Sequence, residues 1–273
     1  MYKDIVFFLN ESEDRAEALT AAAKFANDMN AHLTGLYVRP STFRQTPAYG
    51  MVTQEMLVEL DEMEDVRAEK AKEDFLKALD RFNCSRTWRE VSERENISHF
   101  TAYADLLMTN QHAYDPRRGR SNAGFINSLI LGTGRPVILV PTELTTSNFG
   151  KNIVVGWDES KESVRAINDA LPLLQKAEMV DVVSVSYEDD EVVDVSEISN
   201  FLSRRNVENR FNLQVTDEEF TTPEEVLLNY ANTVDADLLV IGGYGHSRLR
   251  EIILGGTTRY LTKYSDIPVF FSH

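Results

Sequence analysis

The residues with the clearest capacity for chemistry lie in one stretch, from Ile241 to Arg259: Ile-Gly-Gly-Tyr-Gly-His-Ser-Arg-Leu-Arg-Glu-Ile-Ile-Leu-Gly-Gly-Thr-Thr-Arg. Gly242, Gly243 and Gly245 let the backbone approach a ligand closely and are free to take φ > 0. Gly255, Gly256, Thr257 and Thr258 read as the start of a helix, whose free N–H groups and dipole favour an anion. His246 and Arg248 stand between the clusters; His246 either reaches a phosphate or lies exposed. Residues 242–263 carry Arg248, Arg250, Arg259 and Lys263 against Glu251, a local net of +3. The chemistry this suits is non-covalent closure around a phosphate chain. Glycine count alone equally suits a tight strand-to-loop turn and a helix start.

The other candidates are weaker. The histidines are His32, His99, His112, His246 and His273, and no pair has the spacing of a helical zinc site. Cys84, with Arg86 as its only basic neighbour, reads as inert rather than nucleophilic. Glu188-Asp189-Asp190-Glu191 lacks the glycine and spacing of a calcium loop and reads as solvated. Trp157, next to Asp158, suits either a core position or the face of an adenine ring. There is no Gly-x-Ser-x-Gly elbow and no Gly-Lys-Ser/Thr phosphate loop. The dinucleotide fingerprint fails as well, because Arg248 stands where a third glycine is needed.

Strands and helices must position these residues, and they alternate along the chain. Runs such as Asp4 to Leu9, His32 to Val38, Thr87 to Val91, Leu106 to Met108 and Pro136 to Pro141 read as strands. Between them lie helical patterns at Ala16 to Met29, Glu55 to Phe82, Ile97 to Tyr103 and Phe125 to Leu131. The long charged helix offers Leu57, Leu60, Val66, Phe75, Leu76 and Leu79 for burial. The pattern then restarts. Strands are expected at Asn152 to Gly156, Val182 to Tyr187, Phe211 to Val215, Leu238 to Ile241 and Pro268 to Phe271. Helices are expected at Ser163 to Leu174, with Val164 on its apolar face, at Val195 to Asn206, Pro223 to Thr233 and Leu249 to Tyr264. Continuous apolar strands between helices predict a parallel α/β sheet, buried on both faces.

The restart is an internal repeat. Ala104-Asp105-Leu106-Leu107 matches Ala236-Asp237-Leu238-Leu239, and Pro136-Val137 matches Pro268-Val269, both at an offset of 132. We therefore expect one fold written twice, in domains 1–145 and 150–273, with the boundary in the polar stretch Thr142 to Gly150. At the same offset Gly242, Gly245 and Gly255 fall on Asn110, Ala113 and Ala123, and only Gly256 finds a glycine, Gly124. Asp158 falls near Asn10 or Glu11. The first copy lacks the cradle, although Arg117, Arg118 and Arg120 keep a basic cluster there.

Composition sets the outer limits. The 273 residues hold 44 Asp+Glu against 28 Lys+Arg, a net charge of -16, divided as -5 over residues 1–150 and -11 over 151–273. Such a surface repels nucleic acid and anionic membranes. One cysteine allows no intramolecular disulfide and suits a reducing compartment. Without a leader pattern or a run of about 20 apolar residues, a cytoplasmic location is expected.

The spacing Gly242-x-x-Gly245, nine residues, then Gly255 and a small residue resembles the nucleotide-binding signature of the universal stress protein family. Val154-Val155-Gly156-Trp157-Asp158 resembles the family's first strand, Asp237 to Ile241 its fourth and Ile267-Pro268-Val269 its last. The whole chain resembles the tandem form. The resemblance implies two doubly wound domains of the adenine nucleotide alpha hydrolase-like fold, each with a five-stranded parallel sheet, packed about a pseudo-twofold axis. The first domain would replace the partner subunit of a homodimer; a homodimer of the whole chain is left open. It further implies ATP or another adenine nucleotide, with Mg²⁺, in the second domain, and a role in stress response or signalling. Asp158 would meet the adenosine end, Gly242, Gly243 and Gly245 the ribose and phosphates, and Gly255 to Thr258 the phosphate tail. The family's Ser/Thr after the third glycine is Gly256 here, a lost hydroxyl that Thr257 and Thr258 are expected to replace. No residue stands out as a general base, so at most slow ATP hydrolysis is expected. The alternatives are a nucleotide-independent scaffold and, last, an ATP-cleaving ligase, whose Ser-Gly-Gly-x-Asp-Ser loop is absent.

Overall fold

The computed structural model describes residues 1–9, 15–39, 53–92, 97–111, 122–144, 148–187, 195–216, 221–243 and 256–273. The first half runs β1 (Asp4–Leu9), α1 (Ala16–Met29), β2 (His32–Arg39), α2 (Gln54–Leu79), β3 (Arg86–Ser92), α3 (Ile97–Thr101), β4 (Leu106–Asn110), α4 (Asn122–Gly132) and β5 (Val137–Val140). The second runs β6 (Asn152–Gly156), α5 (Lys161–Leu174), β7 (Met179–Tyr187), α6 (Ser196–Ser203), β8 (Asn209–Thr216), α7 (Pro223–Thr233), β9 (Leu238–Gly242), α8 (Gly256–Tyr264) and β10 (Val269–Ser272).

Each half is a parallel five-stranded sheet, in the orders β3-β2-β1-β4-β5 and β8-β7-β6-β9-β10. The halves are joined edge to edge into one ten-stranded sheet by antiparallel pairing of β5 with β10. Val269 faces Leu139, Phe270 faces Ile138 and Phe271 faces Val137. At the repeat offset of 132 these pairs exchange with one another, so the twofold relation passes between Ile138 and Phe270. All six residues are at most 1% exposed.

Every strand of such a sheet must bury both faces, which is why the sequence runs are continuously apolar. In β1, Ile5, Phe7 and Leu9 join a core under α1 and α2, which continues under α5 and α6. Val6 and Phe8 point the other way, into a core shared with α4, α7 and α8. Helices therefore cover both faces of each half.

Two expected stripes are corrected. In α2, Phe75 and Leu79 are buried, but Leu60, Val66 and Leu76 are exposed. The buried row is Glu64, Ala68, Ala71, Phe75 and Leu79. Two features of β2 select it. A Cβ on Gly35 would come 2.8 Å from the Phe75 ring, so the missing side chain admits the aromatic. The Tyr37 hydroxyl donates to Glu64 Oε1 at 2.8 Å and draws that carboxylate inward. In α5, Val164 is exposed, and the face turned to the sheet carries Ala166, Ile167, Ala170, Leu173 and Leu174.

Candidate functional site

In the second half β6 lies between β7 and β9. Helices after β6 and β9 leave opposite faces of the sheet, so the carboxyl ends of these two strands flank a crevice at a topological switch point. Gly156, Trp157 and Asp158 end the first strand; Gly242 and Gly243 end the second.

Asp158 is exposed and closes a turn. Its Oδ1 accepts from the Ser160 backbone N–H at 3.1 Å and from the Ser160 hydroxyl at 2.6 Å. Glu159, between them, takes φ +58°. Ser160 then caps α5, its Oγ accepting from Ser163 N–H at 3.1 Å. Trp157 packs against the apolar core, while its buried Nε1 has no hydrogen-bond partner among the described residues. The ring thus takes the core position of the two alternatives, with one polar atom unsatisfied beside the crevice.

Gly242 and Gly243 are demanded by the protein itself rather than by unusual dihedrals. Among the described residues the only positive-φ glycines are Gly134 and Gly150, which corrects the expectation for this pair. A Cβ on Gly242 would lie 2.6 Å from Glu162 C and from Ser163 N, so the missing side chain is what seats the first turn of α5 on the end of β9. A Cβ on Gly243 would meet Ile130 of α4 at 3.0 Å, across the seam between halves. Gly243 N–H donates to Ser272 O at 2.7 Å, and its carbonyl lies 2.9 Å from His273 Nδ1.

α8 is described from Gly256 onward, while the expected helix start at Gly255 and the run from Leu249 lie outside the described residues. Thr258 is 1% exposed and turned inward, which leaves Thr257 as the hydroxyl at the rim. A Cβ on Gly256 would lie 3.2 Å from Glu224 Oε1. Glu224 belongs to the first turn of α7, whose start is fixed by Pro223 and by Glu225 Oε2 accepting from Thr222 N–H at 3.2 Å. Sequence reading did not single out Glu224, because 32 positions separate it from Gly256 and no spacing links them. Gly245, His246, Arg248 and Gly255 lie outside the described residues, as do His112, Ala113, Arg117, Arg118, Arg120 and the acidic run at 188–191. Among the described residues no cluster of three or more His, Cys, Asp or Glu could hold a metal ion. Burial pushes the Cys84 thiol above its ordinary range, against the opposing pull of Arg86, which fits an inert side chain.

The first half is built differently at the corresponding point. β4 ends in Thr109 and Asn110, followed by Gln111, where β9 ends in Ile241 and Gly242, followed by Gly243. Thr109 and Asn110 are at most 1% exposed, and among the described residues Thr109 Oγ1 and Asn110 Nδ2 have no partner. Gln111 crosses the seam and donates from Nε2 to Ser265 O at 3.1 Å. Buried polar side chains thus stand at the end of β4 where glycines stand at the end of β9.

The model of the universal stress protein family matches residues 150–273. The chain also resembles the crystal structure of a universal stress protein from Archaeoglobus fulgidus, with a TM-score of 0.68 and 16% identity over 98% of this chain and 96% of that one. A second solved structure, a putative universal stress protein from Pseudomonas aeruginosa, superimposes with a TM-score of 0.59 and 14% identity over 99% and 93% of the two chains. At such identities the likeness shows the fold alone. Curated relatives match over short stretches. A universal stress protein of Synechocystis is 39% identical over 46 residues, 17% of this chain and 16% of its own length. Stress response protein NhaX of Bacillus subtilis is 38% identical over 47 residues, 17% of this chain and 28% of its own length.

Proposed function

We propose that the second half of this chain, which the universal stress protein family model matches over residues 150–273, binds ATP or a related adenine nucleotide in the crevice between β6 and β9. One observation carries the reading. Asp158 and the Gly242–Gly243 corner stand at the carboxyl ends of neighbouring parallel strands, and the matched half continues to the Gly256 start of α8. Asp158 meets the adenosine end. Gly242, Gly243 and Gly245 line the ribose and phosphates, with His246 and Arg248 beside them. Gly255, Gly256, Thr257 and Thr258 hold the phosphate tail through backbone N–H groups. Because Thr258 is turned inward, Thr257 is the hydroxyl in reach of that tail.

The residues present fit an accompanying Mg²⁺, which commonly takes one or two carboxylates together with phosphate oxygens. Glu224, beside Gly256, is the carboxylate in position to serve. Its charge would otherwise oppose a phosphate at the same helix end. The first half, residues 1–145, contributes the joined sheet edge and stands in for a partner subunit, while residues 150–273 hold the ligand. The role is stress response or signalling in the cytoplasm rather than high-turnover catalysis.

Calorimetric titration of the full chain with ATP and Mg²⁺ tests the assignment. Saturable binding is expected, with at least a ten-fold loss in a Gly245→Val variant. Equal affinity in both proteins moves the site elsewhere. The lost hydroxyl at position 256 and the missing glycines of the first half favour a second reading, a nucleotide-independent scaffold. Adenine nucleotide released on denaturing the purified protein, detected by mass spectrometry, would exclude that scaffold.

A further inference from the structure

The first half also carries a cleft formed by its helices. It lies between α1 and α2, measures about 500 Å³ and is lined by Arg15, Thr20, Lys70, Asp74, Lys77 and Arg81 among others. Positions 70, 74, 77 and 81 recur at i, i+4, i+7 and i+11, which places them along one side of α2 and the turn that follows it.

Charge is sorted on this helix in a way its composition does not require. Gln54–Leu79 holds nine carboxylates and four bases. Of those nine, only Asp74 lines the cleft, and Arg15 takes it up, donating from Nε at 3.0 Å and Nη2 at 2.8 Å. Arg15 is 5% exposed, so this pair forms a fixed wall. Lys70, Lys77 and Arg81 have no carboxylate in ion-pair range among the described residues. Among the described residues the cleft therefore carries three positive charges without an ion-pair partner, in a chain of net charge -16.

A concave surface lined by one sign of charge focuses its field and concentrates counter-ions. The volume is that of a small-molecule site. In the second half α6, the counterpart of α2, is far shorter at eight residues and has no basic side chain within the helix, with Arg204 and Arg205 following it. We propose that the α1–α2 cleft is a binding site for a compact multivalent anion of the oligophosphate class. The shared chemistry is a short chain of phosphates; its source is either a free condensed phosphate or the phosphate tail of a nucleotide.

The test is titration calorimetry of the full chain with inorganic tripolyphosphate, free of divalent cations, at about physiological salt. One saturable site is expected, with affinity falling as salt rises. A Lys77→Gln/Arg81→Gln variant should lose at least ten-fold in affinity, and Lys70→Gln a smaller factor. Lys151→Gln, an exposed lysine paired with Glu178, should change nothing. All four side chains are exposed, so circular dichroism should report an unchanged fold. Competition by ATP but not by adenosine assigns a nucleotide tail as the source, and absence of competition assigns a condensed phosphate; both support the site. Non-saturable binding, or equal affinity in wild type and the double variant, overturns it. Saturable binding of a hexaglutamate peptide in place of tripolyphosphate also overturns it, by making the cleft a docking groove for an acidic segment.

Discussion

Gly242 shows how a residue that looks like part of a ligand loop is also a packing requirement. Its missing Cβ is used by the backbone of Glu162 and Ser163, which cannot retreat without lifting α5 off β9. Gly242→Ala is therefore expected to cost about 2 kcal/mol or more, the range of core overpacking. Gly156→Ala makes the contrast. Its Cβ would meet the side chains of Ile241 and Leu227 at 3.1 Å, and these can shift, so the cost should stay below about 1 kcal/mol. Denaturant midpoints for the two variants measure the difference. Equal costs would mean that α5 is not seated by this glycine. In the first half Asn110 occupies the corresponding position, and its buried side chain shows that the close approach of helix to strand is not repeated there.

Asp237 ties two elements together. Its carboxylate accepts from the backbone N–H groups of Gly150 at 2.7 Å, Lys151 at 3.0 Å and Asn152 at 3.2 Å, which fixes the entry to β6 beside the start of β9. Burial raises this carboxyl above its ordinary value, and the three N–H donors only partly offset that. The sign follows from linkage. The folded protein holds this proton more tightly than the unfolded chain, so the group lowers stability as pH rises from the unfolded carboxylate value through the raised folded one. Asp237→Asn keeps one acceptor oxygen and removes the titration. The stability of wild type relative to Asp237→Asn should accordingly fall as pH rises from the ordinary carboxylate value through the raised folded one. Urea denaturation of both proteins across that range checks this, and a difference that rises with pH would refute burial as the dominant influence on Asp237. The corresponding Asp105 accepts from Lys3 and Asp4 N–H groups through Oδ2, so the repeat at offset 132 is also a repeat of this staple.

At the scale of the whole molecule, the β5–β10 seam makes one body of two similar halves. Phe270 sits fully buried at its centre, opposite Ile138. Phe270→Ala should cost about 3–5 kcal/mol, the range for emptying an aromatic core position. The loss should appear in one cooperative transition, because Gln111, Gly243 and Tyr2 also bond or pack across the halves. Two separated calorimetric transitions in the wild-type protein would show that the halves unfold independently.

The sequence by itself determined the parallel α/β halves, the 132-residue repeat and the absence of the glycine cradle from the first copy. These depend on local rules: hydrophobic period within an element and glycine spacing within a loop. The failed stripe in α2 marks the limit of such rules, since Gly35 and Tyr37 on a different element decide which side of a long, charged helix turns inward. Only the tertiary structure decided that the two sheets join through β5 and β10, that Gly242 seats α5, that Glu224 meets the start of α8, and that Lys70 and Lys77 of an acidic helix share one cleft with Arg15 and Arg81. Each of these pairs residues far apart in the chain, and the energy that selects them comes from packing and charge across elements, which spacing along one strand of sequence does not record.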